Sequence, residues 1–316
     1  MTLGQTSLEV SSIGLGLAAL GRPGYITVGH AHDLDGHTHV EQMRANAHSV
    51  LDAAYAAGVR YFDAARSYGR AEEFLGSWLA ERELSPPAVG VGSKWGYTYT
   101  AEWRTDAETN EVKDLSIDTL RRQEEETRQL LGSRLGLYQI HSATLESGVL
   151  DDPEVLEELA RLRACGLLIG FTVTGPRQAD TIARALEVGG FDAVQATWNL
   201  LEPSVGPALA AARSAGLSVI VKEAVANGRL TARGDVPQLT DAAAQMGVSP
   251  DALALAAVLA QPWVDVVLSG AATASMTASN VAALDVTVDP ETLERLGELA
   301  EDPDGYWERR SALSWN

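Results

Sequence analysis

Short apolar runs rich in β-branched residues alternate with longer runs in which apolar residues recur at helical spacing. This alternation, repeated along the whole chain, predicts parallel strands joined by helices. Thr6–Val10 and its neighbours read as a small hairpin, and Ser12–Gly16 as the first strand. A helix over Val40–Ala57 ends at Gly58; Val59–Phe62 is the second strand and Ala71–Glu83 the next helix. The third strand is Val89–Ser93, followed by a helix over Ile117–Leu131, and the fourth is Leu137–Ile140. A helix with Pro153 in its first turn runs to Ala164, a favoured place for proline. Leu167–Val173, Ala193–Thr197, Leu217–Val221 and Val264–Leu268 supply strands five to eight. Between and after them come helices over Arg177–Glu187, Pro203–Ala215, Pro237–Met246, Pro250–Ala260 and Ser275–Ala283. A last helix, Pro290–Ala300, falls outside the eight units.

Eight such units predict one closed (β/α)8 TIM barrel spanning residues 1–316, with the hairpin capping its bottom and extra helices at the C-terminal side. There is no repeat, linker or low-complexity tract. Two loops are long, Gly21–Thr38 after the first strand and Gly96–Asp114 after the third. Loops after barrel strands build the active-site face, so these two are expected to matter.

Composition narrows the setting. The chain carries a net charge of −19 and one cysteine, Cys165. That field repels phosphate backbones and argues against a nucleic-acid partner. A lone cysteine rules out an intramolecular disulfide and suits a reducing compartment, so a cytoplasmic location is expected. No run of apolar residues is long enough for a membrane helix, and residues 1–10 do not resemble a signal peptide.

The polar residues at the strand ends carry the chemistry. Asp63 closes the second strand, with Tyr68 just beyond it; Lys94 closes the third and His141 the fourth. In a barrel all four meet at the C-terminal mouth. A lysine cation beside a phenol lowers its pKa, an aspartate can hold that lysine in place, and a histidine can orient a carbonyl. Singly, each has a bland explanation: a helix cap, a core ring, a strand-end cation, a satisfied imidazole. At successive strand ends, they form a site for proton transfer to or from oxygen.

At these residues the sequence resembles the aldo-keto reductase family. The matching stretches are Tyr61 to Gly69, Ser93-Lys94, Tyr138 to His141, Gly170 to Thr172, Val194 to Leu201, and Asn280. The resemblance implies hydride transfer between a nicotinamide and an aldehyde, ketone or alcohol. Tyr68 would be the general acid/base, tuned by Asp63 and Lys94, with His141 orienting the substrate. It implies cofactor contacts at Thr172, Gln195, Lys222, Gly228, Ser269, Gly270 and Asn280.

The cofactor stretches depart from the family pattern. Thr172-Val173 replaces Ser-Asn, and Lys222 replaces the aromatic residue that stacks on nicotinamide. Residues 269–280 contain no Arg or Lys for a 2′-phosphate. NADP(H) is the family expectation, NAD(H) a competitor, with Arg229 or Arg233 able to compensate. A redox-neutral lyase or isomerase reusing Tyr68, Lys94 and His141, or a non-catalytic sensor on the same scaffold, stays open.

Trp95, Tyr97 and Trp198 are candidate substrate walls, with Tyr99 and Trp103 in the same loop as Tyr97. Trp307 and Trp315 either cover the mouth or pack on outer helices. His30, His32, His37 and His39 lie with Asp33 and Asp35 in the first long loop; loop histidines are mostly solvated, so no metal is expected. The oligomeric state is not readable.

Overall fold

The computed structural model describes residues 1–316. Ten strands occur in chain order: β1 Ile13–Gly16, β2 Tyr61–Asp63, β3 Gly90–Trp95, β4 Tyr97–Tyr99, β5 Glu111–Lys113, β6 Leu137–Ala143, β7 Leu168–Val173, β8 Ala193–Thr197, β9 Ser218–Lys222 and β10 Val266–Ser269. Eight of them close a parallel barrel in the order β1-β2-β3-β6-β7-β8-β9-β10, with β10 returning to β1. The other two, β4 and β5, form an antiparallel ribbon in the loop after β3, with Tyr97 opposite Lys113. The loop Gly96–Asp114 is thus structured, because its aromatic and β-branched residues pair across it.

Helices α1 His30–Leu34, α2 Val40–Ala56, α3 Ala71–Glu81, α4 Ile117–Leu131, α5 Pro153–Ala164, α6 Gln178–Val188, α7 Gly206–Ser214, α8 Pro237–Met246, α9 Pro250–Leu259, α10 Ala274–Val281, α11 Pro290–Gly297 and α12 Pro303–Ser311 surround it. Predicted and observed boundaries agree within a few residues. Two helices were not expected: short α1 in the first long loop, and α12, a weakly amphipathic segment capped by Asp302 accepting from Gly305 N–H. No single helix is long and apolar enough to cross a membrane.

The N-terminal hairpin is smaller than expected, a single antiparallel bridge between Thr2 and Glu9. Leu3 N–H donates to Leu8 O and Val10 N–H to Met1 O, each at 2.7 Å. Leu3, Leu8 and Val10 pack with Tyr61, Leu137, Ile220 and Val266 and plug the barrel bottom. A large apolar layer lies between strands and helices. A second one, built on Leu200, Leu230, Leu239, Leu253, Tyr306 and Trp307, fixes α8, α9 and α12 beside the mouth. With bottom and sides filled, the open end of the barrel is the C-terminal one.

Candidate active site

Strand register sets the site. Asp63 lies beside Gly16 and Gly92, and Lys94 beside Gln139. A Cβ on Gly92 would stand 2.3 Å from the Tyr61 hydroxyl, so only glycine leaves room for that ring next to Asp63. The Asp63 carboxylate is a hub. It pairs with the buried Lys94 ammonium, and its Oδ1 accepts from Tyr61 Oη, Gln139 Nε2 and Gln195 Nε2, each at 3.3 Å. A buried charge is tolerable when its lone pairs are filled in this way.

Lys94 Nζ also donates to Ala64 O at 2.9 Å and lies 3.5 Å from the Tyr68 hydroxyl. The His141 and Tyr68 rings meet edge to face with centroids 5.5 Å apart, and Tyr97 meets His141 at 5.0 Å. The ladder between β6 and β7 breaks after Ile140, and Ser142 takes a left-handed φ of 57°. Such a break re-aims a side chain at a barrel rim. The Ser142 N–H is satisfied by Thr172 Oγ1 at 2.7 Å. The structure therefore brings Asp63, Tyr68, Lys94 and His141 together at one mouth.

A second cation comes from outside the barrel strands. Arg22, 2 % exposed, donates to Ser67 O at 2.7 Å and pairs with Glu111 at 2.9 Å. Its guanidinium lies 5.3 Å from the Tyr68 and Tyr25 ring centroids and 4.4 Å from that of Trp315. Two glycines allow this. A Cβ on Gly21 would be 2.1 Å from Tyr68 O, and one on Gly69 would be 2.4 Å from Gly21 O. The first two βα loops thus meet backbone to backbone. Nothing in the sequence flagged Arg22; its only trace was the unusual length of its loop.

These neighbours set the protonation states. Burial pushes the Tyr68 phenol above its ordinary value, Asp63 adds to this and Arg22 opposes it. The sequence reading expected a lowered phenol; the desolvation of the ring outweighs the cations. Burial, and then Lys94, Lys222 and Arg22, hold His141 well below the ordinary histidine value, so its imidazole is neutral. Burial draws the Lys222 ammonium down to about 8 against the pull of Glu223. Burial alone would raise Glu223, but Arg310 and Lys222 outweigh it and hold the carboxyl at about 2.

A cavity of about 550 Å³ runs from this cluster to the β10–α10 turn. Tyr68, His141, Gln195, Lys222, Gly228, Ser269, Gly270, Asn280 and Tyr97 all line it. Lys222 Nζ donates to Thr197 Oγ1 at 3.0 Å, and Ser269 Oγ donates to Asn280 Oδ1 at 2.7 Å. Thr172 does not line it; its hydroxyl serves Ser142. Nor do Trp95 and Trp198. Trp95 follows inward-facing Lys94 and so points outward, where it is fully buried among the helices; Trp198 packs on Trp263 at 5.8 Å. Trp315 lines the mouth, whereas Trp307 belongs to the outer core.

Arg229 is held by Asp235 and Glu301, and Arg233 pairs with Asp33 at 2.6 Å. Of the four loop histidines, His30 is buried against Tyr25 and the others are exposed. No three His, Cys, Asp or Glu side chains converge as a metal site would require. Residues the sequence did not single out, among them Arg22, Tyr25, Ser142, Asp251 and Arg310, also line the cavity.

The parallel eight-stranded barrel, with polar side chains converging on a cavity at its C-terminal mouth, has the layout of a barrel enzyme. The chain belongs to the aldo/keto reductase family, which it matches over residues 12–301. It is 27% identical to pyridoxal 4-dehydrogenase of Microbacterium luteolum over 263 residues, covering 73% of this chain and 71% of that protein. It is 24% identical to the uncharacterized oxidoreductase YrpG of Bacillus subtilis (strain 168), covering 99% and 98%. The holo form of an aldo-keto reductase from Bacillus halodurans superposes with a TM-score of 0.74 at 21% identity, covering 95% of this chain and 96% of that one. Members of the family generally use a nicotinamide cofactor and act on small carbonyl compounds.

Proposed function

We propose that the chain interconverts an aldehyde or ketone and its alcohol, with Tyr68 as the general acid/base. The observation that carries this is the Tyr68 hydroxyl, 3.5 Å from Lys94 Nζ and beside neutral His141, facing a cavity large enough for a ligand pair. The nicotinamide supplies the hydride when bound. Tyr68 delivers the proton from Oη to the carbonyl oxygen, and His141, whose neutral imidazole keeps one N–H donor, orients that oxygen. Lys94, anchored by Asp63, and Arg22 stabilise the phenolate left behind. In the reverse direction Tyr68 takes the proton back. The name of the Microbacterium luteolum relative supports aldehydes as the first substrates to screen.

The lining fits a dinucleotide. His141 Nδ1 and Asn227 Oδ1 are buried without partners, and a Cβ at Gly270 would meet only open space. Gln195 and Lys222 would hold the nicotinamide end, Asn227 and Gly228 the middle, and Ser269, Gly270, Ser275, Ser279 and Asn280 the adenosine end. That far end favours NAD(H) over NADP(H). Residues 269–280 carry no cation, the Asp251 carboxylate stands on the same wall and accepts from Asn280 Nδ2 at 2.7 Å, and Arg229 and Arg233 are already paired. A 2′-phosphate there lacks charge-assisted bonds worth about 1.5–3 kcal/mol each.

Titration with each reduced nucleotide, followed by tryptophan fluorescence, tests the reading. NADH should bind at least about tenfold more tightly than NADPH, and Met276→Arg should narrow the gap. Failure to bind either nucleotide would refute the redox assignment. Lys222 supports a second reading, a redox-neutral lyase or isomerase, because it adds a third proton carrier beside Tyr68 and His141. Substrate turnover by nucleotide-free protein would select that reading instead.

A further inference from the structure

Of the 24 basic residues in the chain, only Lys94, Lys113 and Lys222 are lysines. All three stand at the barrel mouth. Lys94 is bonded to Asp63, and Lys222 lines the cavity. Lys113, exposed on the β5 ribbon, donates from Nζ to Ser142 O at 2.7 Å and lies 5.8 Å from the Tyr97 ring centroid, one ring away from His141. The outer helices use arginine throughout, much of it locked onto carboxylates, as in Arg163–Asp192 and Arg184–Asp151. A guanidinium suits such fixed bidentate pairs; an ammonium is a compact charge that stays available to a ligand.

The mouth also carries surplus positive charge. Around His141, the cations Arg22, Lys94, Lys113, Lys222 and Arg310 outnumber the nearby carboxylates Asp63, Glu111 and Glu223, with Glu146 further out beyond Lys113. Each carboxylate is already spoken for: Asp63 by Lys94, Glu111 by Arg22 and Glu223 by Arg310, with Lys222 4.0 Å away. Lys113 has no carboxylate within ion-pair distance; Glu146 acts on it only from further off. In a chain of net charge −19, a local excess of two cations is an island that draws anions to one place.

We propose that the mouth accepts an aldehyde or ketone bearing a carboxylate, received at the rim by Lys113 beside the Tyr97 ring. This rests on the reading in which Tyr68 meets the carbonyl. A carboxylate there forms a charge-assisted bond to a cation with no carboxylate within ion-pair distance, which Ser142 O, on the cavity wall, holds in place. The pyrophosphate of a dinucleotide is the competing explanation for the surplus charge, and the test separates the two.

The intact protein should reduce 4-carboxybenzaldehyde with a kcat/KM about five to ten times that for methyl 4-formylbenzoate, its neutral ester. Lys113→Met should bring that ratio close to unity, and Lys113→Arg should restore most of it. Benzoate binding, read from tryptophan fluorescence without any nucleotide, should weaken several-fold in Lys113→Met and in raised salt. Equal kcat/KM for acid and ester, or benzoate affinity indifferent to Lys113, would overturn the proposal. So would a Lys113→Met effect confined to nucleotide affinity, which would assign the charge to the pyrophosphate. If neither aldehyde is consumed, the reductase reading fails, and the benzoate titration still decides this one.

Discussion

A carboxylate surrounded by four donors, as Asp63 is, spends its charge on holding its neighbours and offers none to a ligand. Asp63→Asn would leave Lys94 buried with no counter-charge. It should lower stability by about 3–5 kcal/mol, measured as a fall in the urea midpoint. Tyr68→Phe keeps the ring and its packing but removes the proton. Carbonyl reduction should fall by about 10²- to 10⁴-fold while the thermal midpoint moves little. At this scale the sequence was most informative, because Asp63, Tyr68, Lys94 and His141 each sit in a short strand-end motif whose geometry is local. It was least informative where alternation along a strand decides. Trp95 follows Lys94 and therefore faces the helices, and the Thr172 hydroxyl is taken by a backbone group one strand away.

Among elements, the barrel strands and most helices were legible from periodicity, and the joints between loops were not. The Arg22–Glu111 pair ties the loop after β1 to the ribbon after β3, and Arg310–Glu223 ties α12 to the end of β9. Such contacts depend on three-dimensional closure, to which spacing along the chain gives no clue. The contact of Gly21 with Gly69 makes a third joint, between the loops after β1 and β2. Gly21→Ala forces Cβ into the Tyr68 carbonyl and should cost about 1–3 kcal/mol, seen as a lowered thermal midpoint. Reduction should suffer as well, since Tyr68 and Arg22 move together. Arg310→Met leaves Glu223 buried beside Lys222 alone. The Lys222 ammonium should then hold its proton to higher pH, because one repelling cation is gone, and proton NMR of the labelled amine would register the upward shift.

For the molecule as a whole, burial keeps the histidines His30, His48 and His141 below their ordinary value of 6.5. The unfolded chain takes up protons there that the folded chain refuses, so stability falls as pH drops through that value. Glu223, held at about 2, extends the loss on the acid side, because the unfolded carboxyl is protonated from about 4.5 downward. Urea midpoints taken from about pH 7.5 to about pH 5 should decline steadily, and His141→Gln should flatten the decline. The same closure that keeps these rings dry has a practical side. Outside the mouth the surface offers no side-chain amine at all, and Lys94 is sealed within. Apart from the α-amine of Met1, an acylating dye, a cross-linker or an amine-coupled resin will therefore find Lys113 as its most exposed target, and will attach itself beside the doorway of the cavity.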